Sequence, residues 1–241
     1  WPLELNGETI QIGIQICEDL WDEDYDFKVS LEQKKRGADC IINISASPYH
    51  EGRLAERIDL IQSKIKDTQI PFYYCNLVGA QDELIFDGQS LAFNQYGNNI
   101  GYGNAFIQDM LLIDSGQESH PLPICHRKEN MYNALVLGVS DYFSKSGHTE
   151  AVIGLSGGID SALVACIAAD ALGPDKVHGI SLPSKYSSDH SLADAELLAK
   201  NLNIDYRILP IAESVQTLET SLAPLFMGKE PNVAEENIQA R

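Results

Sequence analysis

The sequence predicts an α/β protein in two parts, and three observations carry that reading. Short apolar runs rich in β-branched residues alternate with amphipathic stretches of helical period. A polar tract with two prolines interrupts this alternation near the middle of the chain. Beyond the tract the order becomes strand, helix, strand, helix, strand, which is the pattern of a parallel, doubly wound, Rossmann-like sheet.

The elements follow in chain order. Ile10 to Ile16 reads as a strand, Lys28 to Arg36 as a helix stopped by Gly37, and Cys40 to Ser45 as a second strand. An amphipathic helix is expected from Leu54 to Asp67, then a strand from Phe72 to Leu77 after Pro71. Ser90 to Asn94 and Asn99 to Tyr102 flank Gln95-Tyr96-Gly97-Asn98, whose Gly and Asn suit a hairpin turn. A last strand is expected from Ala105 to Ile113.

Residues 1–114 then form a first domain, 115–128 a linker and 129–241 a second domain. In the second, helix Met131 to Lys145, strand Ala151 to Leu155, helix Ser161 to Leu172 and strand Val177 to Leu182 lead to helix Leu192 to Leu202 and strand Tyr206 to Leu209.

With 241 residues, 44% of them hydrophobic, the chain has apolar material for a sizeable core. Its net charge of −18 repels a phosphate backbone and an anionic membrane surface, so nucleic-acid and membrane partners are not expected. No apolar run approaches the roughly 20 residues that span a bilayer, and Trp1-Pro2-Leu3-Glu4 lacks a signal peptide's basic start. Five cysteines without CxxC spacing fit free thiols in a reducing compartment, so the expected location is cytoplasmic.

Gly154-Leu155-Ser156-Gly157-Gly158-Ile159-Asp160-Ser161 joins an apolar strand to a helix. Backbone N–H groups at such a turn have no helical partner and can bind an anion, and paired glycines keep side chains away from it. Ser156 and Ser161 add hydroxyls, and Asp160 could ligate a Mg²⁺ ion that offsets a triphosphate's charge. The segment is neither a Walker A loop nor GxGxxG. Without the ligand, it would be a Gly-rich turn with Asp160 capping the helix.

The segment resembles the PP-loop of the N-type ATP pyrophosphatases, which cleave ATP between the α and β phosphates. Leu182-Pro183-Ser184-Lys185-Tyr186-Ser187-Ser188 and Ala234-Glu235-Glu236-Asn237-Ile238-Gln239-Ala240-Arg241 resemble two further stretches of NAD synthetases. That resemblance implies that Lys185 lies near the ATP and that Asn237 contacts deamido-NAD.

In the first half, Cys17 ends an apolar strand, where α/β sheets display their chemistry, although a lone cysteine there is ordinarily core. Cys17-Glu18-Asp19-Leu20-Trp21, Asn43 to Tyr49 with Gly52-Arg53, and Val78 to Glu83 resemble the nitrilase-type glutaminase domain of glutamine-dependent NAD synthetases. The resemblance implies the later part of an α-β-β-α sandwich ahead of the PP-loop domain. It implies Cys17 as the nucleophile that releases ammonia from glutamine, Ser47 and Arg53 as head-group binders, and Glu18 as a contributor to that pocket. It also implies ATP and magnesium, deamido-NAD, an enclosed path for ammonia, and homo-oligomers formed through the synthetase halves. Cys40 and Cys75 are expected in the core.

Two readings remain beside this one: another PP-loop amidotransferase acting on a purine nucleotide, or a truncated chain that binds nucleotide without turnover. The family's triad also needs a Glu and a Lys upstream of the cysteine, where this sequence has only sixteen residues, and a later metal-binding Glu lies past Arg241. A thiolate without base or oxyanion partner loses most of its advantage. The 241-residue chain alone is therefore expected to release little or no glutamate from glutamine, which a coupled glutamate assay checks.

Overall fold

Alternate residues of β4 (Phe72–Asn76) face opposite ways, and that alternation shows how the first sheet is built. Phe72, Tyr74 and Asn76 are buried beneath helices, while Cys75 is exposed on the other face. The sheet runs β1-β2-β3-β4-β7-β8, from β1 (Pro2–Leu5), β2 (Glu8–Ile16), β3 (Cys40–Ser45), β4, β7 (Leu91–Phe93) and β8 (Asn99–Tyr102). β2, β3 and β4 are parallel and the outer pairs antiparallel. A separate hairpin, β5 (Val78–Gln81) and β6 (Leu84–Asp87), follows β4. The computed structural model describes residues 1–114, 116, 119–124, 126–183 and 188–227, and the chain divides into units Trp1–Tyr142 and Phe143–Arg241.

Helices α1 (Val29–Lys35) and α2 (Arg53–Thr68) belong to the first unit. Along α2 the buried positions Leu54, Arg57, Ile58, Ile61, Lys64, Ile65 and Thr68 recur at spacings of three and four, a stripe facing inward that the buried Leu60 flanks. Its aliphatic members join Ile41, Phe72, Tyr74, Leu91 and Phe93 in one core. Each such side chain contributes about 1.5–3 kcal/mol by leaving water. Two stripe positions are charged, and both are paired: Arg57 with Asp87 and Lys64 with Asp22.

The second unit has three parallel strands in the order β11-β10-β9, from β9 (Ala151–Gly154), β10 (Val177–Ser181) and β11 (Asp205–Ile208). The boundary between units falls inside α3 (Arg127–Ser146), and α4 (Ile159–Leu172), α5 (Asp189–Leu202) and α6 (Ala212–Leu222) follow. The core joins Leu155, Val177 and Ile204 to Ala165, Ala168, Ala169, Ala195 and Ala199, whose short side chains let α4 and α5 lie close together. Among the described residues no helix is long and apolar enough to cross a membrane.

Two expectations need correction. Ala105 to Ile113 is not a strand: Ala105 makes one bridge to Gly88, and Phe106 turns the chain at φ 61°. Asp109 then accepts from the Asn104 backbone and side-chain amides at 3.1 and 2.9 Å, a local arrangement that competes with ladder pairing. Cys75 is exposed and Cys40 half-buried, because the alternation of β3 and β4 turns both away from the helices. Burial, with help from the Asp39 charge, pushes the Cys40 thiol pKa up.

Ile61, fully buried on α2, tests the core. Ile61→Ala is expected to cost about 2–5 kcal/mol, read as a lower urea midpoint at unchanged m-value.

Candidate functional site

The register of the parallel strands sets the first site. Ile16 pairs with Ile44, and Ser45 with Asn76, so β2, β3 and β4 end along one edge. Chain leaving that edge carries Cys17, Ser47 and, one turn of chain further, Arg53. Cys17 opens a short 3-10 turn, Cys17–Leu20, and is half-buried at φ 43°. That left-handed conformation is rare for a residue with a Cβ and costs on the order of 1–3 kcal/mol, so the surrounding contacts must impose it. The Asp19 carboxylate helps, accepting from the Ile16 amide at 2.8 Å. Glu18 is exposed, with Oε1 3.5 Å from the Tyr25 hydroxyl.

The turn is fastened behind. Asp22, 1% exposed, accepts from the Val29 amide at 2.7 Å and pairs with Lys64, while Lys28 Nζ donates to the Asp22 carbonyl at 2.7 Å. Ahead of it, the Arg53 guanidinium lies 4.8 Å from the Trp21 ring centroid and donates through Nη1 to Glu56 at 3.1 Å. Arg53 Nε is buried and has no partner among the described residues, so this donor is available to a ligand acceptor.

Ser47 is buried, and each of its polar atoms is held. Its amide donates to Asn76 Oδ1 at 2.9 Å, its carbonyl accepts from Arg57 Nη2 at 2.9 Å, and its Oγ accepts from Arg57 Nη2 at 3.3 Å. Arg57, Asp87, Asn76, Asp22 and Lys64 escaped the sequence reading. Arg57 had a visible signal, a charged residue on the apolar stripe of a helix; the acids and Asn76 had none.

The second site lies where β9 runs into α4. Gly154 ends β9, and the buried Leu155 donates to the Ile180 carbonyl at 2.8 Å. The Leu155 carbonyl accepts from Ser181 Oγ at 2.7 Å, and that hydroxyl accepts from Tyr206 at 2.8 Å, so the loop's entry is fixed from below. Gly157, at φ 80°, sits so close to α5 that a Cβ would overlap the Ser191 backbone. Gly158 then caps α4, and Ile159, Asp160 and Ser161 form its first turn.

Ser161 Oγ accepts from the Ser156 amide at 3.2 Å, and Ser156 Oγ from the Gly158 amide at 3.2 Å. A phosphate entering here would exchange these neutral bonds for charge-assisted ones, which are roughly twice as strong. The first amides of α4 have no carbonyl within the helix and add to the same cradle. A cavity of about 370 Å³ beside the loop is lined by Gly157, Gly158, Ser161, Asp194, Leu198 and Asn201. Asp160 and Ile159 are exposed. Among the described residues no three His, Cys, Asp or Glu side chains converge on a metal position, so a metal at Asp160 would take its other ligands from phosphate and water, as magnesium commonly does. Lys185 and Asn237 lie outside the described residues.

A half-buried thiol at a strand end in one α/β unit and an amide-rich strand–helix turn in the next are the two candidate sites of this α/β protein. Residues 131–241 match the NAD synthase family model. Over 97% of its length the chain is 42% identical to the glutamine-dependent NAD(+) synthetase of a Synechocystis species and 37% identical to that of Thermotoga maritima, covering 44% and 47% of those proteins. The solved glutamine-dependent NAD+ synthetase of Acinetobacter baumannii, in complex with ADP, superposes with a TM-score of 0.88 at 31% identity over 100% of this chain and 46% of that one. The corresponding structure from Cytophaga hutchinsonii, at 20% identity and TM-score 0.77, shares the fold. The chain is thus a homologue of the glutamine-dependent NAD(+) synthetases, with an NAD synthase region over residues 131–241, and it spans about half the length of the curated relatives it matches.

Gly157→Ala forces the loop off α5. A cost of about 1–3 kcal/mol is expected from the overlap, read as a lower urea midpoint at unchanged m-value.

Proposed function

We propose that the complete protein makes NAD from deamido-NAD, ATP and glutamine, with glutamine hydrolysed at Cys17 and ATP cleaved at the Ser156–Ser161 loop. The observation that carries this reading is the order of the two sites: a cysteine held at positive φ at a strand end, then an amide-rich turn at the start of α4.

In the first region the Cys17 thiolate attacks the side-chain amide carbon of glutamine, ammonia leaves, and water cleaves the thioester to glutamate. Arg53 pairs with the α-carboxylate, its orientation set by Trp21 and Glu56, with Ser47 completing the head-group contacts and Glu18 at the rim. In the second region the nicotinate carboxylate of deamido-NAD attacks the α-phosphorus of ATP and pyrophosphate departs. The resulting acyl-adenylate accepts ammonia and releases AMP, which converts a carboxylate inert to ammonia into an amide.

The loop amides, with Ser156 and Ser161, hold the departing pyrophosphate, and donors already in place act without reorganisation as its charge develops. Magnesium, held by Asp160 and phosphate oxygens, would offset that charge. Lys185 is assigned to the nucleotide and Asn237 to deamido-NAD. A cytoplasmic location and a homo-oligomer joined through the synthetase regions complete the reading.

Cys17→Ala in the complete protein is expected to abolish glutamine-dependent NAD formation while the rate with saturating ammonium stays within about twofold of wild type, a split that follows if the two half-reactions use separate residues. Loss of both rates overturns the assignment of Cys17.

A further inference from the structure

Arg57 is fully buried at the end of the first sheet, and its environment differs from that of an ordinary stabilising ion pair. It meets Asp87 through two contacts, Nη1 to Oδ2 and Nη2 to Oδ1, each 2.9 Å, with both side chains 0% exposed. Burying two charges costs enough solvation that such a pair seldom adds net stability over apolar residues of the same volume. What the pair does add is direction. Its remaining donors converge on Ser47: Nη2 on the carbonyl at 2.9 Å, and Nη2 and Nε on Oγ at 3.3 and 3.4 Å. Asn76 completes the frame, donating to Asp87 Oδ1 at 3.2 Å and to the Gly88 carbonyl at 3.1 Å while its own Oδ1 takes the Ser47 amide.

A hydroxyl has two acceptor sites and one proton. With a guanidinium occupying the acceptor side, Ser47 Oγ can act only as a donor. The Tyr74 hydroxyl lies buried in the same region without a partner at hydrogen-bonding geometry; burial raises its pKa, and the Arg57 charge and the neighbouring Ser45 and Ser47 hydroxyls partly offset that rise. We infer that Arg57, locked by Asp87, is a positioning residue that fixes Ser47 as an obligate hydrogen-bond donor toward an acceptor oxygen of the ligand, the α-carboxylate of glutamine. This rests on the reading of Ser47 as a head-group contact. It adds that Ser47 cannot bind the ammonium end of the substrate, and that the hydroxyl is polarised by a cation that never touches the ligand.

The complete protein is assayed with glutamine and with ammonium as nitrogen source, as wild type, S47A, R57K, and R57M/D87N. R57K keeps the buried charge for Asp87 but has no planar fork to reach Ser47 Oγ. The double variant removes both charges together, avoiding a stranded carboxylate, and the amide that D87N introduces keeps an acceptor oxygen for Asn76. S47A and at least one Arg57 variant are expected to raise the glutamine KM about tenfold or more, as for a lost charge-assisted contact, with the ammonium-dependent rate and the melting temperature near wild type. Unchanged glutamine KM in folded Arg57 variants, beside a raised KM in S47A, overturns the positioning role alone. An equal fall in both rates for the Arg57 variants also overturns it, since that marks general structural damage. Unchanged KM in S47A overturns the head-group reading and this inference with it.

Discussion

Because β2, β3 and β4 run parallel and in register, they stop along one line, and the chain leaving each must turn at nearly the same level. Cys17 follows β2, Ser47 follows β3 and Asn76 ends β4, so all three lie along that edge. Sheet pairing alone would leave three floppy turns. Asp22 with Lys64 holds the first from behind, Arg57 with Asp87 holds the second from beneath, and the Trp21 ring under Arg53 joins them. The polar groups sit on the helix-covered face, where a low dielectric strengthens a satisfied network and penalises any gap in it.

The second unit solves a related problem with less material. A turn with two glycines in a row must be anchored from outside, because Ser156 and Ser161 brace it only from within. Here the anchoring comes from below, through the chain of hydroxyls from Tyr206 to Ser181 to the Leu155 carbonyl, and from the side, through the contact of Gly157 with the backbone of α5. The alanine-rich interior lets α4 and α5 approach closely enough for that contact to form.

Much of this was legible in advance. Cys40 to Ser45 was bounded correctly from its apolar run, and most helices fell within a few residues of expectation because their stripes repeat at three and four. The edge strand β1 and the hairpin of β5 and β6 were not seen, since β1 is exposed throughout and β5 and β6 show no alternation of buried and exposed positions. Ala105 to Ile113 misled because its apolar residues suggest a strand, whereas Ile107, Met110 and Leu112 stand exposed on irregular chain held by Asp109. Ser47 was singled out as a candidate through a motif, but its partners were not: nothing in the local sequence around Asp87 or Asn76 says that a guanidinium thirty residues away from Asp87 will need them.

The backbone at Cys17 carries one more implication. A side chain held in left-handed space is a place where the fold would gain by losing its Cβ, so glycine is the residue that conformational energy alone would choose there. With Cys17 as the proposed nucleophile, selection for robustness and selection for reactivity would pull this one position in opposite directions. A stabilised version of the protein should accumulate its improvements everywhere except at the bend that presents the thiol.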